Sequence, residues 1–377
     1  MTKLVISGYY GFDNIGDEAI LQSLIDLFFE FDPNVNITVL SSDPRKTSYQ
    51  FSYKIKAINR LDPFKIISEI KKSNLFISGG GGLLQDVTSF KSISYYVGLI
   101  FLAQNLNIPT MICAQGIGPI NYNFNQNIVK KVLNKTNVIT VRDVSSMEYL
   151  IKLGIDQEKI FVTTDPVITL KPVNNQRASE LIAKTGLDPK KPTIGISIRP
   201  WKTWYERQLK SFTSVIGQLA NKFNTQILII PFQMSQDYWL CKEAFQCLNL
   251  RPADYTTKIG ILDYNCTPSE IMGIISQMAL VIGMRLHSLI MAAATYVPAI
   301  GISYDPKIIN FAKQVGFFVI PSITSLQDSD NFANIIIDTW RQRFIIKHQL
   351  KLQIPQLYEL AKDNIIIAFR YIKNLKT

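Results

Sequence analysis

The sequence predicts an α/β protein made of two Rossmann-like lobes that face a central cleft, with helices at the C-terminus. Short apolar runs recur along the chain, and each is followed by a turn and then by helical periodicity. This alternation stops once, over the polar segment 171–192 with its three prolines, and then restarts. A length of 377 residues also suits two large lobes better than one.

The strand-like runs fall into two groups. In the first lobe we predict strands over residues 4–7, 37–40, 75–78, 110–114 and 138–141, a closing strand at 161–163, and a helix over 17–30. In the second lobe we predict strands over residues 193–198, 226–230, 280–283, 299–302 and 317–320. The predicted domains are therefore an N-terminal lobe over 1–172, a C-terminal lobe over 173–340 and a basic helix over 341–377 that packs back on the lobes.

Composition excludes several classes of protein. An apolar fraction of 47% is too high for a disordered chain, and the formal charge of +11 is spread along the sequence instead of clustering with aromatic residues as in nucleic-acid-binding proteins. Four cysteines without a CxxC pair indicate a reducing compartment, and two histidines make a zinc site improbable. With no secretory signal pattern and no apolar run near 20 residues, we expect a cytoplasmic protein.

Glycine-rich loops follow two strands of the first lobe. The segment GYYGFDNIGDE begins at Gly8, where Asn14 is the candidate ligand-binding side chain, although a tight turn capped by Asp17 is equally compatible. Its spacing matches neither GxGxxG nor a Walker A loop, so nicotinamide or ATP binding is not expected. Gly80 and Gly81 lie in a run of four glycines, which indicates close approach of a ligand or of another chain segment. QGIGP ends the next strand and would line the same cleft if the two strands are neighbours.

Cationic side chains also follow strands. Arg142 suits carboxylate or phosphate recognition, and a structural ion pair with Asp143 or a more distant acid fits the spacing equally well. Arg285 and His287 stand at a strand-to-helix junction, where the guanidinium can bind an anion and the imidazole can transfer protons. A lone histidine is more often structural, and Lys307, after the next strand, taken alone is typical of a surface lysine.

A second aromatic and cationic segment follows the first strand of the C-terminal lobe. In SIRPW, Arg199 again stands at a strand end and Trp201 is two residues beyond it. The pair suits binding of a sugar or simple packing.

In combination these motifs resemble a known family. The opening GYYGFDNIGDEAIL, FISGGGGLLQD, QGIGP, VRD, GMRLHSLIMA and ISYDPK resemble the polysaccharide pyruvyl transferases of the CsaB type, from Gly8 to about Gly316. The resemblance implies a glycosyltransferase-B-like (GT-B-like) fold and transfer of a pyruvyl group from phosphoenolpyruvate to a sugar as a cyclic ketal. It also implies a role in cell-wall polymer or exopolysaccharide synthesis, with a lipid-linked acceptor at the inner membrane face.

The resemblance also implies roles for the candidate residues. Arg142, Arg285 and Lys307 would bind the phosphate and carboxylate of phosphoenolpyruvate, with His287 and Arg285 catalytic. The acceptor would contact Asn14, Gly80 and Gly81. No metal and no cofactor beyond the donor are expected. The alternatives are a nucleotide-sugar glycosyltransferase of the same architecture and a non-catalytic membrane-associated binding protein.

Overall fold

The computed structural model describes residues 1–52, 54–87, 90–202, 204–250 and 256–374. The chain divides into two compact units. The N-terminal unit comprises Met1–Thr169 together with the C-terminal segment from Gln356, and the C-terminal unit comprises Leu170–Pro355. The sequence-based boundary after residue 172 lies close to the first division, whereas the second falls at Pro355, beyond the expected start of a separate helix at residue 341.

A parallel seven-stranded sheet forms the centre of the N-terminal unit. Its strands are β1 (Lys3–Ser7), β2 (Asn36–Ser41), β3 (Lys56–Asn59), β4 (Leu75–Ser78), β5 (Thr110–Gln115), β6 (Val138–Val141) and β7 (Ile160–Val162). The helices are α1 (Ile15–Phe31), α2 (Pro44–Gln50), α3 (Pro63–Lys71), α4 (Phe90–Asn105), α5 (Asn123–Leu133) and α6 (Val144–Lys152). The strand order is β3-β2-β1-β4-β5-β6-β7, which is the doubly wound Rossmann order with one added strand.

The C-terminal unit repeats this topology with six parallel strands. They are β8 (Thr193–Ser197), β9 (Gln226–Ile229), β10 (Ile259–Ile261), β11 (Leu280–Gly283), β12 (Ala299–Ile302) and β13 (Phe318–Ile320), in the order β10-β9-β8-β11-β12-β13. The helices are α7 (Asn175–Lys184), α8 (Glu206–Lys222), α9 (Met234–Asn249), α10 (Pro268–Ser276), α11 (Leu286–Ala294) and α12 (Pro306–Val315). The predicted α/β class with two Rossmann-like lobes is confirmed.

One long helix, α13 (Ser329–Asn374), contributes to both units. The division between the units falls at Pro355, the proline inside this helix, whose missing N–H removes one backbone hydrogen bond. In the N-terminal unit, Asn364 of α13 is fully buried and accepts hydrogen bonds from the hydroxyls of Thr140 (2.5 Å) and Thr163 (2.9 Å). The end of α13 is thereby fastened to the β6–β7 side of the sheet.

Two strands are missing from the sequence-based prediction. They are β3 and β10, which have four and three residues and form an outer edge of each sheet. The opposite edges, β7 and β13, are also three residues long, but their sequences IFV and FVI are wholly apolar and both were predicted. In contrast, KAIN begins with a lysine and ends with an asparagine, and a glycine interrupts IGI. KAIN and IGI are accordingly too weakly patterned to predict.

The strand order fixes where a ligand can bind. In doubly wound sheets the crevice opens at the carboxyl ends of the two strands between which the order reverses. These are β1 and β4 in the N-terminal unit and β8 and β11 in the C-terminal unit. The glycine-rich loops follow the first pair, and Arg199, Arg285 and His287 follow the second. No helix among the described residues is long and apolar enough to span a membrane.

Candidate active site

The loop after β1 turns into α1 through Asn14. The Asn14 side chain accepts from the backbone N–H of Gly16 (3.2 Å), and its amide nitrogen donates to the Asp17 carboxylate (2.6 Å). Asn14 is therefore the N-cap of α1, and the alternative in which Asp17 caps this turn is wrong. These bonds hold Asn14 at the β1–β4 crevice, and its contact with the acceptor stays a prediction.

The glycine run after β4 is packed against the loop after β1. A Cβ atom at Gly79 would lie 2.3 Å from the Tyr10 hydroxyl oxygen, and one at Gly80 would lie 2.8 Å from the Ile20 side chain. Gly81 has φ +96°, which favours glycine, and faces an Asp17 carboxylate oxygen. Close approach of another chain segment thus accounts for these glycines, and acceptor binding by Gly80 and Gly81 stays a prediction.

The loops after β4 and β5 form one hydrogen-bonded structure, as their neighbouring strands allow. The N–H of Gly116 donates to the Gly81 carbonyl and that of Gly118 to the Leu84 carbonyl, both at 2.9 Å. Asp86 is buried and accepts from the backbone and side chain of Asn121 (2.8 and 3.0 Å), the backbone of Tyr122 and the side chain of Asn125. Burial acts to raise the pKa of Asp86, but these donors lower it below its ordinary value.

Arg142 follows β6 and is 6% exposed. Its Nη1 lies 3.2 Å from the Asp165 carboxylate, and its Nε lies 3.7 Å from that of Asp143. The guanidinium occupies the space that a Gly116 side chain would fill, since a Cβ there would lie 2.6 Å from Nε. Asp165 is the more distant acid that the sequence left unidentified. Its position shortly after β7 was the signal in the sequence that could have pointed to it.

Two further groups at this edge of the N-terminal unit escaped the sequence analysis. Glu18, on α1, is 8% exposed and accepts from the Gly11 N–H (2.8 Å). Burial raises the pKa of Glu18 to about 7. Arg60 follows the unpredicted β3, and its guanidinium carbon lies 4.1 Å from the Tyr95 ring and 5.0 Å from the Phe12 ring.

In the C-terminal unit, Arg285 is the N-cap residue of α11 and is held by Asp237 of α9. Nε and Nη2 of Arg285 lie 3.0 and 2.5 Å from the two oxygens of the Asp237 carboxylate. Asp237 is fully buried and also accepts from the backbone N–H groups of Phe232 and Gln233. A bidentate pair of this kind fixes the plane of the guanidinium. Asp237 was not predicted, although an acid in the first turn of a helix after a strand was visible in the sequence.

His287 follows the same strand as Arg285, and Lys307 follows the neighbouring strand of the sheet. His287 is partly buried in the first turn of α11, after β11, and Lys307 is partly buried in the first turn of α12, after β12. Because β11 and β12 pair in parallel, their following loops share one edge. Gly283 permits this tight turn, since a Cβ there would meet the Ser288 hydroxyl at 2.3 Å.

The predicted donor residues therefore divide between the units. Arg285, His287 and Lys307 share one sheet edge of the C-terminal unit, where two cations and an imidazole could bind an anion and move a proton. Arg142 belongs to the N-terminal unit, and its share in a donor site stays a prediction. Among the described residues, no group of three or more His, Cys, Asp or Glu side chains is placed to hold a metal ion.

Comparison with known proteins identifies the family. A sequence model described as polysaccharide pyruvyl transferase matches residues 14–306, more than half of the chain. The chain belongs to the polysaccharide pyruvyl transferase family. The matched segment begins at Asn14, contains Arg142, Arg285 and His287, and ends one residue before Lys307. This family member is also 21% identical to the amylovoran biosynthesis protein AmsJ of Erwinia amylovora, over 94% of this chain and 96% of AmsJ.

Solved structures of similar fold include proteins bound to UDP or to a UDP-linked sugar. HepE of Anabaena, solved with UDP and glucose, gives a TM-score of 0.66 at 13% identity, over 98% of this chain and 99% of HepE. MnaA of S. aureus, solved with UDP, gives a TM-score of 0.66 at 14% identity, over 100% of this chain and 98% of MnaA. The UDP-GlcNAc 2-epimerase of Neisseria meningitidis, bound to UDP-GlcNAc, gives a TM-score of 0.63 at 14% identity, over 99% of this chain and 100% of the epimerase. These similarities show that this family member has a GT-B-like fold.

Proposed function

We propose that this protein transfers the pyruvyl group of phosphoenolpyruvate onto two hydroxyls of a sugar, forming a cyclic ketal and releasing phosphate. The observation that carries the proposal is the Arg285 and His287 pair at a sheet edge, within the region that matches the pyruvyl transferase family. Similarity to AmsJ, a protein of amylovoran biosynthesis, supports a precursor of an exopolysaccharide or cell-wall polymer as the acceptor.

The chemistry needs a proton donor and several cations. Protonation of the methylene carbon of phosphoenolpyruvate makes C2 electrophilic, and one sugar hydroxyl then forms a C–O bond to it. The C2–O bond to phosphate breaks, and phosphate leaves with the proton of one sugar hydroxyl. The second hydroxyl then closes the ketal, and its proton restores the proton donor. His287 is the group we assign to proton transfer, because imidazole exchanges protons near neutral pH.

Arg285 and Lys307 are assigned to the donor's phosphate and carboxylate. Asp237 holds Arg285 through both carboxylate oxygens, so the guanidinium plane is set before a ligand arrives. Cations placed in advance stabilise negative charge as it develops on the leaving phosphate. No step of this scheme uses a metal ion.

We further propose that the protein works at the inner face of the plasma membrane on a lipid-linked acceptor. One face of α13 supports contact with anionic lipid, since spacings of three, four and seven residues place exposed basic and apolar side chains together. Phe344, Ile345 and Leu352 are 69%, 59% and 64% exposed. The members of this face are Arg341, Phe344, Ile345, His348, Lys351 and Leu352.

A nucleotide-sugar glycosyltransferase is the second candidate. The observation in its favour is the similarity in fold to HepE, which has been solved with UDP-glucose. In that case the cations of the C-terminal unit would bind a diphosphate. Thermal shifts with UDP-glucose and with phosphoenolpyruvate separate the two functions, because each donor should stabilise the enzyme that uses it.

The experiment that tests the proposal measures phosphate release from phosphoenolpyruvate with a panel of hexoses and amino sugars as acceptors. We expect acceptor-dependent release by the wild type and a loss of at least about 100-fold in the His287→Asn variant, since general acid catalysis contributes about 10²–10⁴-fold. His348→Asn is the matched control, because His348 is the other histidine of the chain and lies on the proposed lipid-contacting face of α13, which soluble hexoses and amino sugars do not need.

Two results would contradict the assignments. Substantial turnover by His287→Asn would remove His287 from the proton transfer. The second result is a protein that neither binds phosphoenolpyruvate in calorimetry nor releases phosphate from it, but is stabilised by UDP-glucose. That result would favour the glycosyltransferase over the pyruvyl transferase.

A further inference from the structure

A pocket in the C-terminal unit lies beside the edge that carries Arg285, His287 and Lys307. Its volume is about 320 Å³, and it opens between the loop after β8, the loop after β12 and the turn after β13. The residues that decide its chemistry are Trp201, Ser303, Tyr304, Asp305, Ser322 and Thr324. The sequence left Trp201 open as a sugar contact or a packing residue, and the other five were assigned to neither substrate.

Two aromatic rings form one wall of this pocket. The ring centroids of Trp201 and Tyr304 are 4.7 Å apart, with the planes tilted by 51°. The guanidinium carbon of Arg199 lies 5.4 Å from the Trp201 ring and 5.1 Å from the Tyr304 ring, and Nη1 donates to the Tyr304 hydroxyl (3.1 Å). Arg199 thus holds both rings in place, and its buried Nε–H has no hydrogen-bond partner among the described residues.

Trp201 is presented by a loop that is anchored in the core. The indole N–H of Trp204 lies 3.3 Å from the sulfur of Met284, and its ring meets the buried Phe212 edge to face. The backbone N–H of Trp204 donates to the backbone carbonyl of Trp201 (3.0 Å). Met284 directly precedes Arg285, so the loop that carries Trp201 contacts the loop that carries the proposed donor residues.

The remaining lining combines apolar side chains with polar groups that can bind hydroxyls; the apolar ones are Pro306, Ile309, Pro321 and Ile323. Ser303, Ser322 and Thr324 contribute hydroxyls, and Asp305 contributes a carboxylate. A sugar ring has apolar C–H faces that pack on aromatic rings and hydroxyls that donate to a carboxylate. The volume lies near the lower end of the roughly 300–1,000 Å³ of small-molecule sites, which fits one sugar ring better than a complete nucleotide sugar.

We propose that this pocket binds a pyranose ring of the acceptor sugar. The inference rests on the proposed pyruvyl transfer and adds to it a place for the acceptor in the C-terminal unit. There the acceptor would lie next to the loops of Arg285, His287 and Lys307, as transfer of a group between two bound substrates requires. Trp201 and Tyr304 contact the sugar, and Arg199 is a positioning residue for their rings.

The test measures sugar binding without turnover. Methyl pyranosides of glucose, galactose, mannose and their 2-acetamido forms are titrated against the wild type by saturation-transfer NMR. We expect at least one to bind, with a dissociation constant raised tenfold or more by Trp201→Ala. Trp201→Phe keeps a ring and should stay within about fivefold of the wild type. Trp239→Ala, on the exposed face of α9, is the control and should leave binding unchanged.

The experiment gives different results if the pocket does not bind a sugar and if the protein does not transfer a pyruvyl group. Equal binding by wild type and Trp201→Ala, or no binding of any pyranoside by the wild type, overturns the pocket. If Trp201→Ala loses its near-ultraviolet circular dichroism, Tyr304→Ala replaces it with the same expectation. Sugar binding that depends on Trp201, in a protein that neither binds phosphoenolpyruvate nor releases phosphate from it, keeps the pocket and overturns the pyruvyl transfer. Displacement of the pyranoside by UDP would instead assign the pocket to a nucleotide.

Discussion

Glu18 is a residue whose ionisation is linked to folding. It lies in the first turn of α1, almost fully buried, with the Gly11 N–H as hydrogen-bond donor. Burial raises its pKa from 4.5 to about 7, so the folded state holds a proton that the unfolded chain has released between these values. The contribution of Glu18 to the free energy of unfolding therefore falls as the pH rises from about 4.5 to 7.

We expect Glu18→Gln to remove this dependence. The amide oxygen can still accept from Gly11, but it carries no charge to bury. The variant should equal the wild type in stability near pH 4 and exceed it by up to about 3 kcal/mol at pH 8, at about 1.36 kcal/mol per pKa unit. Urea unfolding at both pH values measures the difference in stability between the variant and the wild type. A difference that is the same at pH 4 and at pH 8 would refute the expectation.

The strand-end arginines show how far single residues were predictable. Arg142 and Arg285 could be found because each follows an apolar run and a turn. Their partners Asp165 and Asp237 could not be assigned, since each pairing joins parts of the chain that only the fold brings together. The sequence left an ion pair open for Arg142, and the structure contains one with Asp165 at 3.2 Å and one with Asp143 at 3.7 Å.

At the scale of elements, the loop after β5 is shaped around Arg142. Gly116→Ala should destabilise the protein by about 1–3 kcal/mol, because the new Cβ would overlap the guanidinium and push it away from Asp165. Gly98→Ala is the matched control, since no atom lies within 4 Å of a Cβ there and alanine is the better helix former in α4. Denaturant unfolding compares the two, and equal stability of both variants would contradict the account.

The strands were predictable where their sequences form uninterrupted apolar runs. Strands such as β4, β5 and β11 are covered on both faces and appear as continuous apolar runs, and the short edge strands β7 and β13 are wholly apolar as well. Polar residues begin and end KAIN in β3 and a glycine interrupts IGI in β10, so neither strand was predicted, and Arg60 after β3 was not recognised. Trp201 was noted, but its contact with Tyr304 could not be predicted, because Tyr304 follows a different strand.

At the scale of the whole molecule, the same doubly wound order occurs in both units, which is why one pattern of alternating runs predicted the class. The charge of +11 belongs to this scale as well. Net positive charge draws a protein to anionic surfaces, and the attraction weakens with salt. The exposed face of α13 adds apolar side chains to this attraction.

We therefore expect the protein to sediment with vesicles containing anionic phosphatidylglycerol and much less with phosphatidylcholine alone. Binding should fall several-fold between about 0.05 and 0.5 M salt, as the Debye length shortens from above 10 Å to below 5 Å. Phe344→Ser should weaken it, whereas Phe64→Ser, at an 84% exposed position on α3, should not. Salt-independent binding, or equal losses in both variants, would argue against the α13 surface.

The two hydrogen bonds that Asn364 accepts also constrain the order of events on the ribosome. Thr140 and Thr163 are synthesised early, and the entire C-terminal unit is translated before Asn364 appears. Until then both buried hydroxyls lack this acceptor, although the C-terminal unit has already emerged in full. The unit that is begun first during translation is therefore completed last, reversing the N-to-C order in which domains usually fold.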